Sequence, residues 1–333
     1  MPLKGLRAKS VSMTVPRLSD IAFERFKAFA APQQLTLRPI TVLFGPNSVG
    51  KSAALRLLPF LAASSRRRHR KEFAPTVFDY ASPAMRGATL SEIITHGRKG
   101  SDLRLNLHWE DCRFEFSVRD LGLNEGELIT KFQVHTSGGV VDGYLTEDRR
   151  GATYDVEYAG KRHHAAWMFD GLIPHVSSGL KEVERACDLL TLRLSEFGNA
   201  VHWLSSVRSL PPRFSQLGPG ASVEIQHDGA GVAAALHMSS MKKDGVADKV
   251  SQWLERACGC RLYFAQTEGQ VSMGRLWFDL SVQSDSLPDA RISIHDVGEG
   301  IAQALPVVTL CRQAQLGLLG RSPILAFEQP ELH

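Results

Sequence analysis

The sequence has no apolar stretch long enough to cross a membrane. Its longest apolar run, residues 53–63, is interrupted by Arg56 and Pro59, whereas a transmembrane helix needs about 20 predominantly apolar residues. The N-terminus is basic, but no apolar segment follows the basic residues as it would in a secretory signal. We therefore expect a cytoplasmic protein that makes no membrane contact.

Cysteine is scarce, and the number and spacing of the cysteines do not match a disulfide framework or a zinc or redox motif. The 333 residues contain five cysteines, an odd number that does not make a disulfide framework and is compatible with a reducing compartment. Cys258 and Cys260 are two residues apart, which is not the spacing of zinc or redox motifs. These thiols are interpreted as structural.

Residues 66–290 lack two further patterns. They contain no sustained heptad repeat, which excludes long coiled-coil arms. They also contain no cluster of acids that would indicate an attached nuclease. The net charge of +4 is too small to establish a nucleic-acid partner.

Hydrophobic periodicity predicts an α/β fold. Strands are expected at 21–26, 35–37 and 40–44, and the last of these is a continuous apolar run typical of a strand buried on both faces. Alternating segments between 103 and 158 predict an antiparallel meander. Helices are expected at 51–63, 178–198, after Gly231, at 247–257 and at 301–318, and further strands at 261–265, 276–282 and 324–327.

One motif indicates phosphate binding. The residues Gly45-Pro46-Asn47-Ser48-Val49-Gly50-Lys51-Ser52 match G-x-x-x-x-G-K-[ST], and Ala53 follows in the helix that the motif opens. The two glycines let backbone N–H groups turn inward at a helix N-terminus, where they bind phosphate oxygens. Lys51 is expected to reach the β- and γ-phosphates, and the Ser52 hydroxyl to ligate Mg²⁺. The sequence thus predicts an ATP·Mg²⁺ site.

A second candidate lies at the C-terminal end of the sequence. Four apolar residues, 324–327, precede Glu328, which is how a Walker B strand presents a carboxylate to the Mg²⁺ shell. We therefore expect Ser52 and Glu328 to support the metal, and Lys51 and Glu328 to take part in catalysis. The alternative is an ordinary core strand that ends in an acid.

Both ends of the chain resemble one family. The stretch from Phe23 through Ser52 resembles the N-termini of SMC/RecF/OLD-type ATPases, and 328–333 (EQPELH) resembles the Walker B of a bacterial branch of that group. Three middle segments, 203–213, 228–231 and 296–303, also resemble that branch. The likeness is strong over 19–56 and 293–333 and thin between about 66 and 200.

The resemblance implies an ABC-type head that dimerises around ATP. In such ATPases a signature loop of one head touches the γ-phosphate bound by the other. The matching residues here are Val297, Gly298, Glu299 and Gly300, before a predicted helix. A glycine loop at a helix N-terminus suits an anion, although the same residues also suit a turn that caps a core helix.

The sequence departs from the family at three positions. Val297 replaces the usual signature serine, and no glutamine occurs between Gln34 and Gln133 to serve as a Q-loop residue. Gln329 stands where many relatives have a catalytic glutamate, and an amide cannot act as a general base. Slow turnover is expected, with Glu331 or a water chain as the substitute base. The chain also ends where ABC heads continue, so we expect a truncated head or one completed by another polypeptide.

These inferences define an α/β P-loop NTPase of the ABC type, with a β-rich lobe and a helical insertion. The expected division is 1–65 and 201–333 for the ATPase core and 66–200 for the lobe and insertion. The expected role is ATP-dependent control of a separate effector, such as a nuclease, in DNA maintenance or anti-phage defence. The alternatives are a nucleotide-sensing regulatory subunit with little hydrolysis and a DNA-clamping protein.

Several weaker features stay open. The basic run Arg66–Lys71 is interpreted either as a site that binds nucleic-acid phosphates or as a solvated loop. Arg208 and Arg213 are interpreted as residues that contact phosphate or a partner, or that form surface ion pairs. Phe26 and Phe29 suit core packing or stacking on adenine.

Overall fold

The computed structural model describes residues 16–66, 77–95, 102–122, 126–146, 154–218, 224–266, 276–286 and 289–331. The helices of these ranges are α1 (Lys51–Ser64), α2 (Leu90–Ile93), α3 (Lys181–Ala200), α4 (Val232–Lys242), α5 (Val246–Cys258) and α6 (Glu299–Gln315). A single 3₁₀ turn occupies Pro83–Met85. Together with the strands below, they make the α/β fold that the periodicity predicts.

Nine strands form one antiparallel sheet. They are β1 (Leu18–Glu24), β2 (Gln33–Thr36), β3 (Leu103–Trp109), β4 (Cys112–Asp120), β5 (Glu127–Thr136), β6 (Gly139–Leu145), β7 (Tyr154–Tyr158), β8 (Lys161–Asp170) and β9 (Ile173–Ser177). Their order is β2-β1-β3-β4-β5-β6-β7-β8-β9. The predicted meander is therefore confirmed. β1 and β2 belong to the same sheet as the lobe strands, so this sheet crosses the expected boundary near residue 65.

Alternation along the strands buries one face of this sheet. In β3, for example, Leu103, Leu105, Leu107 and Trp109 are buried while the residues between them are more exposed. Helices α1 and α3 contribute to the same apolar core, through residues such as Leu57 and Leu190. Burial raises the pKa of the Cys112 and Cys187 thiols to about 12, as expected of structural thiols.

Two short strands pair beside α1, and the second of them lies near the C-terminal end of the described residues. β10 (Val201–Leu204) and β15 (Ile324–Phe327) pair in parallel, with Val201 opposite Ile324 and Leu204 opposite Phe327. The strand predicted at 324–327 is thus confirmed. Because the two strands are parallel, their carboxyl ends meet at one edge, and Glu328 follows β15 at that edge.

A second core lies under the remaining strands. β11 (Ser215–Leu217), β12 (Cys260–Gln266), β13 (Leu276–Ser284) and β14 (Arg291–Ser293) form a small antiparallel sheet. Leu236 of α4, Val250 of α5 and Leu305 of α6 are fully buried in the same cluster as residues of this sheet. This cluster positions the N-terminus of α6, which carries the signature-like loop.

The strand expected at 40–44 is wrong. No strand is assigned there, and Ile40, Val42 and Phe44 are 84%, 72% and 90% exposed. Thr41 instead stabilises a local turn, since its Oγ1 accepts from the Arg38 N–H at 2.9 Å. An apolar β-branched run forms a strand only where another strand satisfies its backbone groups, and the described residues provide none.

Among the described residues, no helix is long and apolar enough to span a bilayer.

Candidate functional site

The glycine motif forms a loop that turns directly into helix α1. Gly45 has φ +145° and Gly50 has φ +98°, values that L side chains rarely adopt. Gly50 precedes the first helical residue, Lys51, and its carbonyl accepts the first helical hydrogen bond from the Ala54 N–H at 2.9 Å. The predicted helix is therefore confirmed, and its N-terminal amides open onto the loop.

Lys51 lies folded back over this loop. Its Nζ donates to the carbonyl oxygens of Gly45 at 2.8 Å and Pro46 at 2.6 Å. Asn47, Ser48 and Val49, between those carbonyls and the helix, are exposed. The loop thus combines an ammonium group, a helix N-terminus and solvent access, which are the elements of a phosphate-binding site.

Ser52 and Ala53 complete the first helical turn differently. Ser52 is exposed, and within the described residues its hydroxyl has no hydrogen-bond partner, so it is free to take a ligand at the loop. Ala53 is half-buried and packs against the main core. The predicted residues Gly45 to Ala53 thus make up the loop and the first turn of α1, and their contact with nucleotide stays a prediction.

Phe29 lies under the loop. A β-carbon at Gly50 would be 2.6 Å from the Phe29 ring, which itself packs edge-on against Phe23 at 5.3 Å between centroids. Phe26 is fully buried and packs against Phe23 as well. Core packing is therefore confirmed for Phe26, and Phe29 acts as a support for the glycine turn.

Glu328 is buried at the end of β15 and its carboxylate is held by α1. Arg56 Nε donates to Oε1 at 2.6 Å and Arg56 Nη2 donates to Oε2 at 2.8 Å. Trp203 Nε1 also donates to Oε1, at 3.1 Å. The predicted Walker B acid is thus brought to the helix of the phosphate loop, but by an arginine that the sequence reasoning did not assign to the site.

The residues predicted to hold Mg²⁺ fit it only in part. Ser52 offers an open hydroxyl at the loop, while both Glu328 oxygens accept hydrogen bonds from a guanidinium. No group of three or more histidine, cysteine, aspartate or glutamate side chains suited to a metal is present in the part of the chain that the structure describes. The carboxylate that the sequence predicts as a metal ligand is thus engaged by Arg56, and metal binding at Ser52 and Glu328 stays a prediction.

The residues after Glu328 are fixed by a second arginine. Arg208 Nη2 donates to the backbone oxygens of Glu328 at 2.8 Å and Gln329 at 3.3 Å. Gln329 has φ +44°, a left-handed conformation for a residue with a side chain. Glu331 is exposed. Arg208 is thus a buried structural arginine rather than a surface cation.

A cavity of about 330 Å³ lies beside the Arg56–Glu328 pair. Its lining includes Arg56, Arg86, Trp203, His227 and Asp228. His227 stacks on Trp203 at 5.5 Å, and the Arg56 guanidinium lies 5.7 Å from the Trp203 ring centroid. Sequence reasoning missed Arg56 and Trp203 as site residues. The available signal was that Arg56 is the only charge within the apolar run 53–63.

The signature-like residues open helix α6. Gly298 is the residue before the helix, Glu299 and Gly300 are its first two residues, and Val297 packs against the second core. Gly298 and Glu299 are exposed. The role of this loop on a second copy of the chain stays a prediction.

Two other basic candidates have internal partners. Arg213 makes a bidentate ion pair with Asp296, at 2.8 and 2.7 Å. Arg66 Nε donates to the Gly198 carbonyl at 2.8 Å. The rest of the basic run, 67–71, lies outside the described residues.

Comparisons with known proteins give only remote similarities. No protein-family model matches the chain, and no curated protein matches its sequence. Among solved structures, the chain is similar to the Smc head domain with an extended coiled coil, bound to the C-terminal domain of ScpA, from Pyrococcus furiosus. The TM-score is 0.41 at 9% identity, over 95% of this chain and 83% of that one.

Two further similarities are to the recombination mediator protein RecF of the RecFOR pathway. The complex with ATP has a TM-score of 0.38 at 12% identity, over 96% of this chain and 88% of that one. The complex with ATPrS has a TM-score of 0.38 at 11% identity, over 96% and 87%. Similarities at this level, below a TM-score of 0.5, do not assign the chain to a family. The α/β architecture with its large β-rich sheet stands on the described strands and helices themselves.

Proposed function

We propose that this chain binds ATP at the Gly45–Ser52 loop and acts as the head of an ABC-type ATPase. The observation that carries the proposal is the loop geometry: left-handed glycines, a helix N-terminus and the Lys51 ammonium over the loop. Phosphate oxygens are anionic, so they form stronger hydrogen bonds with the ammonium than the carbonyls of Gly45 and Pro46 do. The sequence resemblance to SMC/RecF/OLD-type ATPases favours ATP as the source of that phosphate.

Each part of the loop has a distinct role in this proposal. The backbone amides at the start of α1 bind the phosphates, and Lys51 neutralises their charge. The exposed Ser52 hydroxyl offers one oxygen ligand to the metal that accompanies ATP. Mg²⁺, when bound, neutralises charge on the β- and γ-phosphates.

We further propose that two heads enclose the nucleotide. Gly298 and Glu299 are exposed at the N-terminus of α6, where amide groups can approach the γ-phosphate held by a second copy. The ATPase then controls a separate effector, such as a nuclease, in DNA maintenance or anti-phage defence. This setting rests on the sequence resemblance alone.

The first test combines nucleotide binding with molar mass. A fluorescent ATP analogue reports binding, and light scattering with and without ATP and Mg²⁺ reports assembly. Lys51→Ala should abolish both binding and any ATP-dependent doubling of mass. Lys181→Ala is the matched control, because Lys181 is also the first residue of a long helix but does not follow a G-x-x-x-x-G motif.

The outcomes separate the two parts of the proposal. Binding that survives Lys51→Ala contradicts the phosphate role of the loop. Binding that depends on Lys51 with a mass that stays monomeric contradicts the shared site but not the nucleotide site. An equal loss in Lys181→Ala shows that folding, rather than the loop, is responsible.

A nucleotide-sensing subunit with little hydrolysis is the second candidate. Gln329 favours it, because an amide cannot accept the proton of an attacking water. Steady-state phosphate release distinguishes the two functions. If Gln329 limits turnover, Gln329→Glu should raise kcat while nucleotide affinity stays unchanged; a fast wild-type rate contradicts the sensing role.

A further inference from the structure

The Arg56–Glu328 pair joins residues 272 positions apart in the sequence and is almost closed to solvent. The two side chains are 11% and 4% exposed. Its two parallel N–H···O bonds form the bidentate arrangement in which a guanidinium holds a carboxylate most firmly. Trp203 adds a third hydrogen bond to the same carboxylate.

Removing Glu328 from this arrangement would leave the Arg56 charge buried without its partner. An unpaired buried charge is strongly destabilising. To ligate a metal, Glu328 would have to turn its carboxylate oxygens away from Arg56 and toward the metal. The backbone of Glu328 is also held in place, so its carboxylate could leave Arg56 only by rotation of the side chain itself. The Glu328 N–H donates to the Leu204 carbonyl at 2.9 Å, and its own carbonyl accepts from Arg208.

Arg56 lies five residues after Lys51 on α1. At a rise of about 1.5 Å per residue, the Cα of Arg56 is therefore about 8 Å from the Cα of Lys51 along the helix axis. An ion pair between α1 and the end of β15 at this point helps to fix the start of α1 relative to the β10–β15 pair.

We propose that Glu328 is a positioning residue that anchors the phosphate-loop helix through Arg56, and that it does not ligate the metal. Arg56 and Glu328 act as one unit, and the metal is bound by Ser52 and the nucleotide phosphates. The proposal rests on the proposed nucleotide site only for its metal statement. The anchor itself is a property of the fold.

The test compares Arg56→Met, Glu328→Gln and the double variant Arg56→Met/Glu328→Leu. ATP-analogue binding is titrated against Mg²⁺, and unfolding is followed in urea. The proposal expects the Mg²⁺ concentration for half-maximal binding to stay within about twofold of wild type in every variant, a shift well below the tenfold of a lost 1.4 kcal/mol contact. Both single variants should lower the urea midpoint and weaken ATP binding by similar factors.

The double variant separates the anchor from a general loss of stability. Replacing both partners by apolar residues removes the unpaired charge, so the double variant should unfold at a higher urea concentration than either single variant. Arg193→Met is the matched control. It removes another helix arginine that is bidentate to a carboxylate, Asp111, at 3.0 and 2.7 Å. It should lower stability without changing ATP affinity.

Two results would overturn the inference. An increase of about tenfold or more in the Mg²⁺ requirement of Glu328→Gln or the double variant would make Glu328 a metal ligand. Single-variant effects on the urea midpoint that simply add in the double variant, or a double variant that does not fold, would show that the residues do not act through each other. If wild type binds no ATP, the proposed function fails, while the urea comparison still tests the anchor.

Discussion

The Phe29 ring lies so close to Gly50 that a β-carbon on Gly50 would come within 2.6 Å of it. Gly50 also has φ +98°, a conformation that costs a residue with a side chain about 1–2 kcal/mol. Gly50→Ala therefore combines backbone strain with a steric clash at the start of α1. We expect it to lower the free energy of unfolding by about 2–4 kcal/mol and to abolish binding of the ATP analogue.

Gly320→Ala is the matched control for this substitution. Gly320 has φ +87°, but nothing lies within 4 Å of the position that its β-carbon would occupy. Gly320→Ala should therefore lower the free energy of unfolding through backbone strain alone, and it should keep nucleotide binding. The double variant Gly50→Ala/Phe29→Ala should regain part of the stability that the clash removes. Equal losses in Gly50→Ala and Gly320→Ala would contradict the contact with Phe29.

Gly298 provides the opposite case, because its substitution should leave the monomer intact. Its φ is −55°, and its β-carbon would meet open space. Gly298→Asp should change the free energy of unfolding by no more than about 0.5 kcal/mol. If the loop approaches the phosphates of a second copy, the added carboxylate should repel them and prevent ATP-dependent dimerisation.

Light scattering with ATP and Mg²⁺ measures this effect, with Gly298→Ala as the uncharged comparison. Binding of the ATP analogue by the monomer should be unchanged in both variants. A Gly298→Asp protein that still doubles its mass would contradict the role of this loop in trans.

Local patterns in the sequence were sufficient to predict helix α1, which follows the phosphate loop, and part of the large sheet. Alternation of period two predicted the antiparallel meander between residues 103 and 158, as in β3, where every second side chain is buried. The glycine motif predicted the start of α1 because only a left-handed glycine continues the chain there. Each of these signals spans only a few consecutive residues, so it can be recognised from the sequence alone.

The Arg56–Glu328 contact could not be predicted in the same way. Each residue has an ordinary local interpretation, as a charge on an amphipathic helix and an acid after a strand. Their pairing depends on how α1 packs against β15, which is a tertiary relationship between distant segments. The same limitation explains the error at residues 40–44, since a high β-propensity does not specify whether a partner strand is present.

The exposure of residues 40–44 can be tested by comparing substitutions at Ile40 and Ile21. Ile40 is exposed, whereas Ile21 is fully buried in the main core. Ile40→Thr should change the free energy of unfolding by no more than about 0.5 kcal/mol, because it removes no buried contact. Ile21→Thr should cost about 2 kcal/mol or more, since it leaves a hydroxyl in an apolar site.

Chemical denaturation of the two variants gives both values. A large loss in Ile40→Thr would mean that the segment is packed in solution, for example against a strand of another chain. In that case the loss should depend on protein concentration, and a dilution series would detect it.

His237 makes the fold sensitive to acid. The residue is buried between Phe264 and Phe278, at 5.1 and 4.2 Å between ring centroids, and both of its ring nitrogens lack partners among the described residues. Burial lowers the pKa of His237 below its ordinary value of 6.5. As pH falls through about 6.5, the unfolded chain therefore takes up a proton before the folded chain does, and stability decreases.

His237→Phe removes this contribution and should flatten the dependence of stability on pH. Between about pH 6.5 and pH 5, we expect the free energy of unfolding of wild type to fall by up to about 1.4 kcal/mol per pH unit more than that of the variant. His175→Phe, at an exposed histidine, is the matched control and should keep the wild-type slope. Urea titrations across this pH range measure the slopes. Parallel slopes for wild type and His237→Phe would contradict a neutral, unpaired imidazole in this core.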